Sequence, residues 1–245
     1  MNENNEEVGF IKYEGEAVQP GILDAGKAGL ALTGLDELLR YFNAKQSIDL
    51  AKAEYEVPIQ VRAGSWEALI LAGAGVFAAA YLGNPGKEMA KNDFKDIGLK
   101  DVFKKSLKAA IYLIRLAKHT SKLKGWVLKN VKWRNNNSEV GIPNKDGDYE
   151  YFPVEFLEWY GKMPPQIIKK MAQVVEEERS LTVAVFDNGV VLQEKITIRE
   201  KRIFVMNVDE EEADDEFLFP ELEQGMVVRL EGRLTRGNLN LFSGA

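Results

Sequence analysis

With 245 residues, 45% of them hydrophobic, the chain is long enough for one large domain or two modest ones with a real core. It has no cysteine, which excludes disulfide scaffolds, thiolate zinc sites and cysteine nucleophiles and fits a reducing, cytoplasmic setting. A net charge of −6 argues against a general nucleic-acid coat, and the polar, acidic start MNENNEEVGF lacks the basic and apolar regions of a cleaved secretory signal.

Residues 1–7 read as a disordered tail. Val8 to Tyr13 alternates around Phe10 and Lys12 and predicts a short strand. Asp24 to Ala44 predicts a helix, with Leu30, Leu35, Leu38, Leu39 and Phe42 on one face. Gly26, Gly29 and Gly34 weaken its first turns. Tyr55, Val57, Ile59 and Val61 alternate with other residues as in a half-buried strand, giving a strand–helix–strand opening.

Ala68 to Leu82 is fifteen residues without a charge. Both a buried helix and a membrane segment fit it. A spanning helix needs about 20 apolar residues, so the buried helix is the preferred reading. Asp101 to His119 predicts an amphipathic helix. Val102, Phe103, Leu107, Ala110, Ile111, Ile114 and Leu116 form its apolar side, and lysines and an arginine form the other. Trp126 to Trp133 and Ser138 to Ile142 predict two strands around the turn Asn135-Asn136-Asn137. A second turn at Asn144 to Gly147 precedes a strand from Tyr149 to Val154.

Val154 to Glu178 predicts helix, interrupted at Met163-Pro164-Pro165 because proline cannot continue a helix from inside it. A domain boundary is expected near Glu178-Arg179. Beyond it the period becomes two, at Leu181, Val183 and Val185, at Val190, Leu192, Ile196 and Ile198, at Ile203 and Val205, and again over Val227 to Arg233. The acidic segment 207–223 reads as a long loop within these strands.

Several stretches taken together resemble a group of uncharacterised bacterial proteins. They are Tyr13-Glu14-Gly15, ILDA (Ile22 to Ala25), LTGLDELLR (Leu32 to Arg40), AGSWE (Ala63 to Glu67), FPVEFLEWY (Phe152 to Tyr160) and the run Lys201 to Asn238 with LEGRLTRGN. The likeness spans most of the chain and brings no established activity with it. Such proteins look like part of the bacterial accessory gene pool, which implies a role in conflict with phages or mobile elements. In the family the strand after TRGN continues into another sheet segment, whereas this sequence reads LNLFSGA there, so the last barrel strand is expected to be missing or supplied otherwise.

Charge is the strongest functional signal. Lys100 to Arg134 holds nine lysines and two arginines against one acid, Asp101, while Asp209 to Glu223 holds nine acids and no base. Lys104, Lys105, Lys108, Arg115, Lys118, Lys122, Lys124, Lys129, Lys132 and Arg134 are interleaved with Trp126 and Trp133. Cations of this density neutralise phosphates or carboxylates, and exposed tryptophans stack bases. A solvated helix face with both tryptophans in the core fits the same pattern. So does a basic amphipathic helix lying on anionic lipid beside the apolar 68–82 segment.

Other features read blandly. The only histidine, His119, is expected at the surface or at its helix end. Gly73, Gly75 and Ala78 lack the third glycine of a dinucleotide fingerprint, and Gly83 to Lys87 lacks the spacing of a phosphate loop. Asn144, Asp146, Asp148 and Glu150 alternate like calcium ligands but read better as a hairpin turn. The acids Asp209, Glu210, Glu211, Glu212, Asp214, Asp215 and Glu216 are adjacent in one segment, which suits a basic partner better than a metal.

The expected fold is α+β: residues 1–178 form an α+β domain with an apolar and a basic helix, and residues 179–245 form a small antiparallel, barrel-like β domain with an acidic loop. The expected function is a non-enzymatic cytoplasmic interaction protein. It binds an acidic protein or nucleic acid, or assembles into homo-oligomers by pairing its basic and acidic segments. The alternative is a membrane-associating effector using residues 68–82, and less favoured is a metal-dependent enzyme. No pattern calls for a cofactor or catalytic residue.

Overall fold

The computed structural model describes residues 6–16, 18–19, 22–52, 55–62, 66–72, 99–126 and 129–205. Its elements in chain order are β1 (Glu6–Glu14), α1 (Ala25–Gln46), α2 (Ile48–Lys52), β2 (Ile59–Arg62), β3 (Trp66–Ala72), α3 (Leu99–Thr120), β4 (Lys132–Arg134), β5 (Glu139–Pro143), β6 (Tyr149–Pro153), α4 (Val154–Tyr160), α5 (Gln166–Gln173), β7 (Ser180–Asp187), β8 (Val190–Ile196) and α6 (Ile198–Val205). The fold is α+β. An antiparallel sheet of five strands has the order β2-β3-β1-β7-β8, and a second sheet of three has the order β4-β5-β6.

Several expected elements stand where the periodicity put them. In β1, Ile11 and Tyr13 alternate into the core, while Val8 is also buried because the register with β3 shifts between Glu7 and Gly9. Helix α1 starts at Asp24, whose carboxylate accepts from the Lys27 backbone N–H at 3.1 Å. Leu35, Leu38, Leu39 and Phe42 are its buried stripe, whereas Leu30 is 41% exposed. The Met163-Pro164-Pro165 interruption separates α4 from α5.

Helix α3 organises the molecule. It packs along β1, β7 and β8 of the large sheet and also meets α1, α4 and β6. Between these neighbours it is buried on both sides, with Leu107, Ala109, Ala110, Leu113, Leu116 and Ala117 all inaccessible to solvent. Gly9 lets the helix close on the sheet: a Cβ there would lie 2.2 Å from the Ala184 carbonyl oxygen and 2.6 Å from a Leu107 methyl. A satisfied polar clamp joins α1 to α3. Ser106 donates to Asn43 (2.6 Å), Gln46 to Ser106 (2.8 Å) and Asn43 to the Tyr55 hydroxyl (2.9 Å). One core runs from the large sheet through α3 to Val140, Ile142 and Phe152 of the small sheet.

The structure corrects several expectations. Residues 68–72 belong to strand β3 and are not helix; β3 lies between β2 and β1 and is buried on both faces, so it shows no polar alternation. Residues 73–82, the remainder of that apolar run, lie outside the described residues. Of the strand expected over Trp126 to Trp133, Lys132 and Trp133 lie in β4, Trp126 and residues 129–131 do not, and residues 127–128 lie outside the described residues; the strand read from Tyr55 reduces to Ile59–Arg62.

Ile198, Ile203 and Val205 are in helix α6, nucleated by a capping box in which Glu200 accepts from the Thr197 backbone N–H at 2.9 Å and from the Thr197 hydroxyl. Finally, the large sheet is open, not closed into a barrel, and within it β7 pairs with β1 from Gly9–Val185 to Glu14–Ser180. Residues 206–245, including the acidic segment and the strand expected at Val227 to Arg233, lie outside the described residues. Among the described residues no helix is long and apolar enough to cross a membrane.

Candidate functional site

The basic stretch divides in two. Its helical half lies on the one strip of α3 that neighbours leave partly open, and carboxylates from those neighbours meet it there. Lys100 pairs with Glu6 of β1. Lys105 reaches Glu155 of α4 at 2.6 Å, with its ammonium 5.3 Å from the Trp159 ring centre. Lys108 meets Asp187 of β7 at 2.7 Å. Arg115 bonds Glu194 of β8 at 2.9 Å and lies 3.5 Å from Glu150 of β6. Lys118 donates to Glu194 at 2.9 Å and to the Lys195 carbonyl at 3.1 Å. The bond from Lys108 holds the Asp187 carboxyl below the usual range, and Lys104 adds to that.

His119, in the last turn of α3, closes this joint. Its side chain is only 10% exposed. Nε2 lies 2.9 Å from the Ile142 carbonyl oxygen and Nδ1 lies 3.5 Å from Glu150. Both ring nitrogens therefore face acceptors, an arrangement that holds α3 to the small sheet and leaves neither nitrogen for a nucleophile. Burial raises the Glu150 carboxyl above its ordinary value despite the opposing pull of Arg115 and His119.

The second half is arranged differently. Lys122 and Lys129 are exposed, Lys124 is half-buried, and Trp126 packs edge-on against Tyr160 with centroids 6.1 Å apart and its Nε1 donating to the Lys122 carbonyl at 3.0 Å. Lys132, Trp133 and Arg134 form the edge strand β4, all exposed, with Trp133 54% accessible. The two tryptophans thus part company, one packed and one open. Arg134 bonds Glu139 at 2.7 Å. Lys132 stands 3.8 Å above the Tyr149 ring centre, and Arg134 stands 3.8 Å above that of Tyr151.

These two tyrosines belong to the site although charge counting passes over them. The signal was the alternation of Tyr149-Glu150-Tyr151-Phe152, which puts both rings on one face of β6. The turn between β4 and β5 places Asn135, Asn136 and Asn137 at positive φ (52°, 53° and 63°), which asparagine tolerates best among non-glycine residues.

The Asn144 to Asp148 segment is a hairpin turn. The Asn144 side-chain oxygen accepts from the backbone N–H groups of Asp146 and Asp148, both at 2.9 Å, while Glu150 sits with Arg115 and His119 instead. Among the described residues, no group of three or more His, Asp or Glu side chains is placed to hold a metal ion. The acids Asp209 to Glu216 lie outside the described residues. No known protein family, curated protein or solved structure matches the chain.

Proposed function

We propose that this chain is a non-enzymatic cytoplasmic interaction protein that captures an acidic partner through the sheet half of its basic stretch. The observation that supports this reading is the contrast in pairing. Lys105, Lys108, Arg115 and Lys118 each hold a carboxylate of their own chain, so an outside acid would have to displace it. Lys122, Lys124 and Lys132 gather instead in the α3–β4 connection and on the exposed edge strand, beside Arg134, which does bond Glu139 at 2.7 Å. The same contrast weighs against self-assembly through the basic helix. The membrane alternative loses its helix over residues 68–72, which form a central strand. The resemblance described above supports placing the binding in bacterial conflict with phages or mobile elements.

The test is salt-dependent binding of two labelled polyanions, polyglutamate and inorganic polyphosphate. If four cations engage, affinity falls about 100-fold between roughly 50 and 200 mM salt. Reversing Lys122, Lys124 and Lys132 to Glu together abolishes most of the binding, while reversing exposed Lys162 leaves it unchanged. Full binding by the triple variant, or none by the native chain, removes the proposal.

A further inference from the structure

We infer that the outward face of the β4-β5-β6 sheet is a stacking platform for single-stranded nucleic acid, an inference that rests on the acidic-partner reading above and names its chemistry. The small sheet has one face turned to the core, carrying Val140, Ile142 and Phe152, all buried. Alternation therefore puts Lys132, Arg134, Tyr149 and Tyr151 together on the other face. In register, Lys132 opposes Gly141, and Gly141 opposes Tyr151. The missing side chain at Gly141 matters: a Cβ there would come within 2.8 Å of the Tyr151 ring, so the ring rests against the bare strand.

Each ring carries a cation at 3.8 Å, and each pair is fixed from the side. The Tyr149 hydroxyl donates to the Asn130 carbonyl at 2.7 Å, and Glu139 accepts from Arg134 Nε at 2.7 Å and from Asn135 at 2.6 Å. The result is a pair of aromatic–cation columns. Bases stack on aromatic rings and on guanidinium planes alike, so a base laid on Arg134 extends the Tyr151 column outward while Lys132 takes a phosphate.

Spacing selects single strands. Tyr149 and Tyr151 are two residues apart on one strand, about 6.8 Å. That is about twice the ~3.4 Å per nucleotide of a stacked duplex strand, so a base on the Arg134 column and a phosphate on Lys132 suit a splayed strand and not a paired one. Trp133, between Lys132 and Arg134, opposes Val140 and so lies on the other face of the strand, away from the platform. An acidic peptide would use the charges but gain nothing from the planes.

The experiment measures binding of the full chain to a fluorescein-labelled thymidine oligomer of about 15 nucleotides, a length within known single-strand site sizes. Comparison probes are an abasic oligomer of equal length, inorganic polyphosphate and polyglutamate. The thymidine oligomer is expected to bind at least about tenfold tighter than the abasic one, since each stacked base contributes a factor of roughly 5 to 150. Arg134→Lys keeps the charge and removes the plane, so it lowers thymidine-oligomer affinity and leaves polyphosphate binding intact. Trp133→Leu, on the opposite face of β4, leaves both affinities unchanged. Arg134→Lys keeps the test sound if Tyr151→Leu disturbs the sheet. Equal binding of thymidine and abasic oligomers, or polyglutamate binding as tight as the oligomer, overturns the platform while leaving capture of an acidic partner standing. Binding of no polyanion at all overturns both.

Discussion

The two halves of the basic stretch share a composition and differ in what surrounds them. On α3 the cations project from a helix wedged between two sheets, and β1, β6, β7, β8 and α4 each bring a carboxylate to the gap. On β4 the cations project from a three-residue edge strand with aromatic rings beneath them, and Arg134 also bonds Glu139. In the first setting positive charge fastens parts of one molecule together. In the second it is presented outward. The same residue type fastens the fold or stands open according to how many neighbours of opposite sign reach it.

The comparison breaks most sharply at Arg115, whose side chain is 26% exposed and sits between Glu194 and Glu150. Arg115→Glu gathers three carboxylates at one joint and is expected to cost about 2–4 kcal/mol, read as a lower urea midpoint. A midpoint within error of the native one would show that the helix half fastens nothing. Next in size is Gly141→Ala, which forces the Tyr151 ring off its strand at a cost of about 1–3 kcal/mol. Polyanion affinity should fall with it, and full retention of both properties would remove the rigid tyrosine from the site.

Acid provides a smaller and directional probe. Asp187 is held below its ordinary range, so its contribution is present above the unfolded value of about 3.9 and is lost as pH falls through the lower folded value. Glu14 and Glu176, lowered by hydrogen bonds from lysines, act in the same sense. Glu150 is raised, so it acts oppositely: its ionised form is disfavoured in the fold, and its protonation partly offsets the acid loss. Unfolding curves at about pH 3 and pH 7 should show less acid loss in Asp187→Asn and more in Glu150→Gln than in the native chain. The reverse order would contradict the assigned directions. The smallest effect belongs to Lys132→Glu, expected within about 0.5 kcal/mol of native stability because the position is exposed at a sheet edge. A large loss there would erase the distinction between the halves.

What the sequence disclosed follows from how local each signal is. Strand β1, helices α1 and α3 and the β5–β6 hairpin carry their own period, caps or turn residues, and they stand where periodicity places them. Strand β3 did not, because a strand buried on both faces loses its alternation and reads as any apolar run. Helix α6 was hidden by Ile198, Ile203 and Val205, yet Thr197 and Glu200 spelled a capping box three residues apart. The cations of the candidate site were plain from composition. Their division into paired and presented was not, because it depends on acids such as Glu194, 79 residues from Arg115. Nothing within a helical turn of Arg115 announces that contact.

Strand β1 has a consequence for how the molecule is made. It lies between β3 and β7, and Ser180, which bonds the Glu14 carbonyl, is 166 residues downstream. At about 5–20 residues per second, a ribosome needs roughly 10–30 s to deliver β7 after β1 has been synthesised. Through that interval the nascent chain carries a central strand with one edge lacking its final partner. Such an edge is the usual recruiting point for chaperones and for wrong neighbours, so the yield of folded protein is expected to depend on translation speed between β1 and β7.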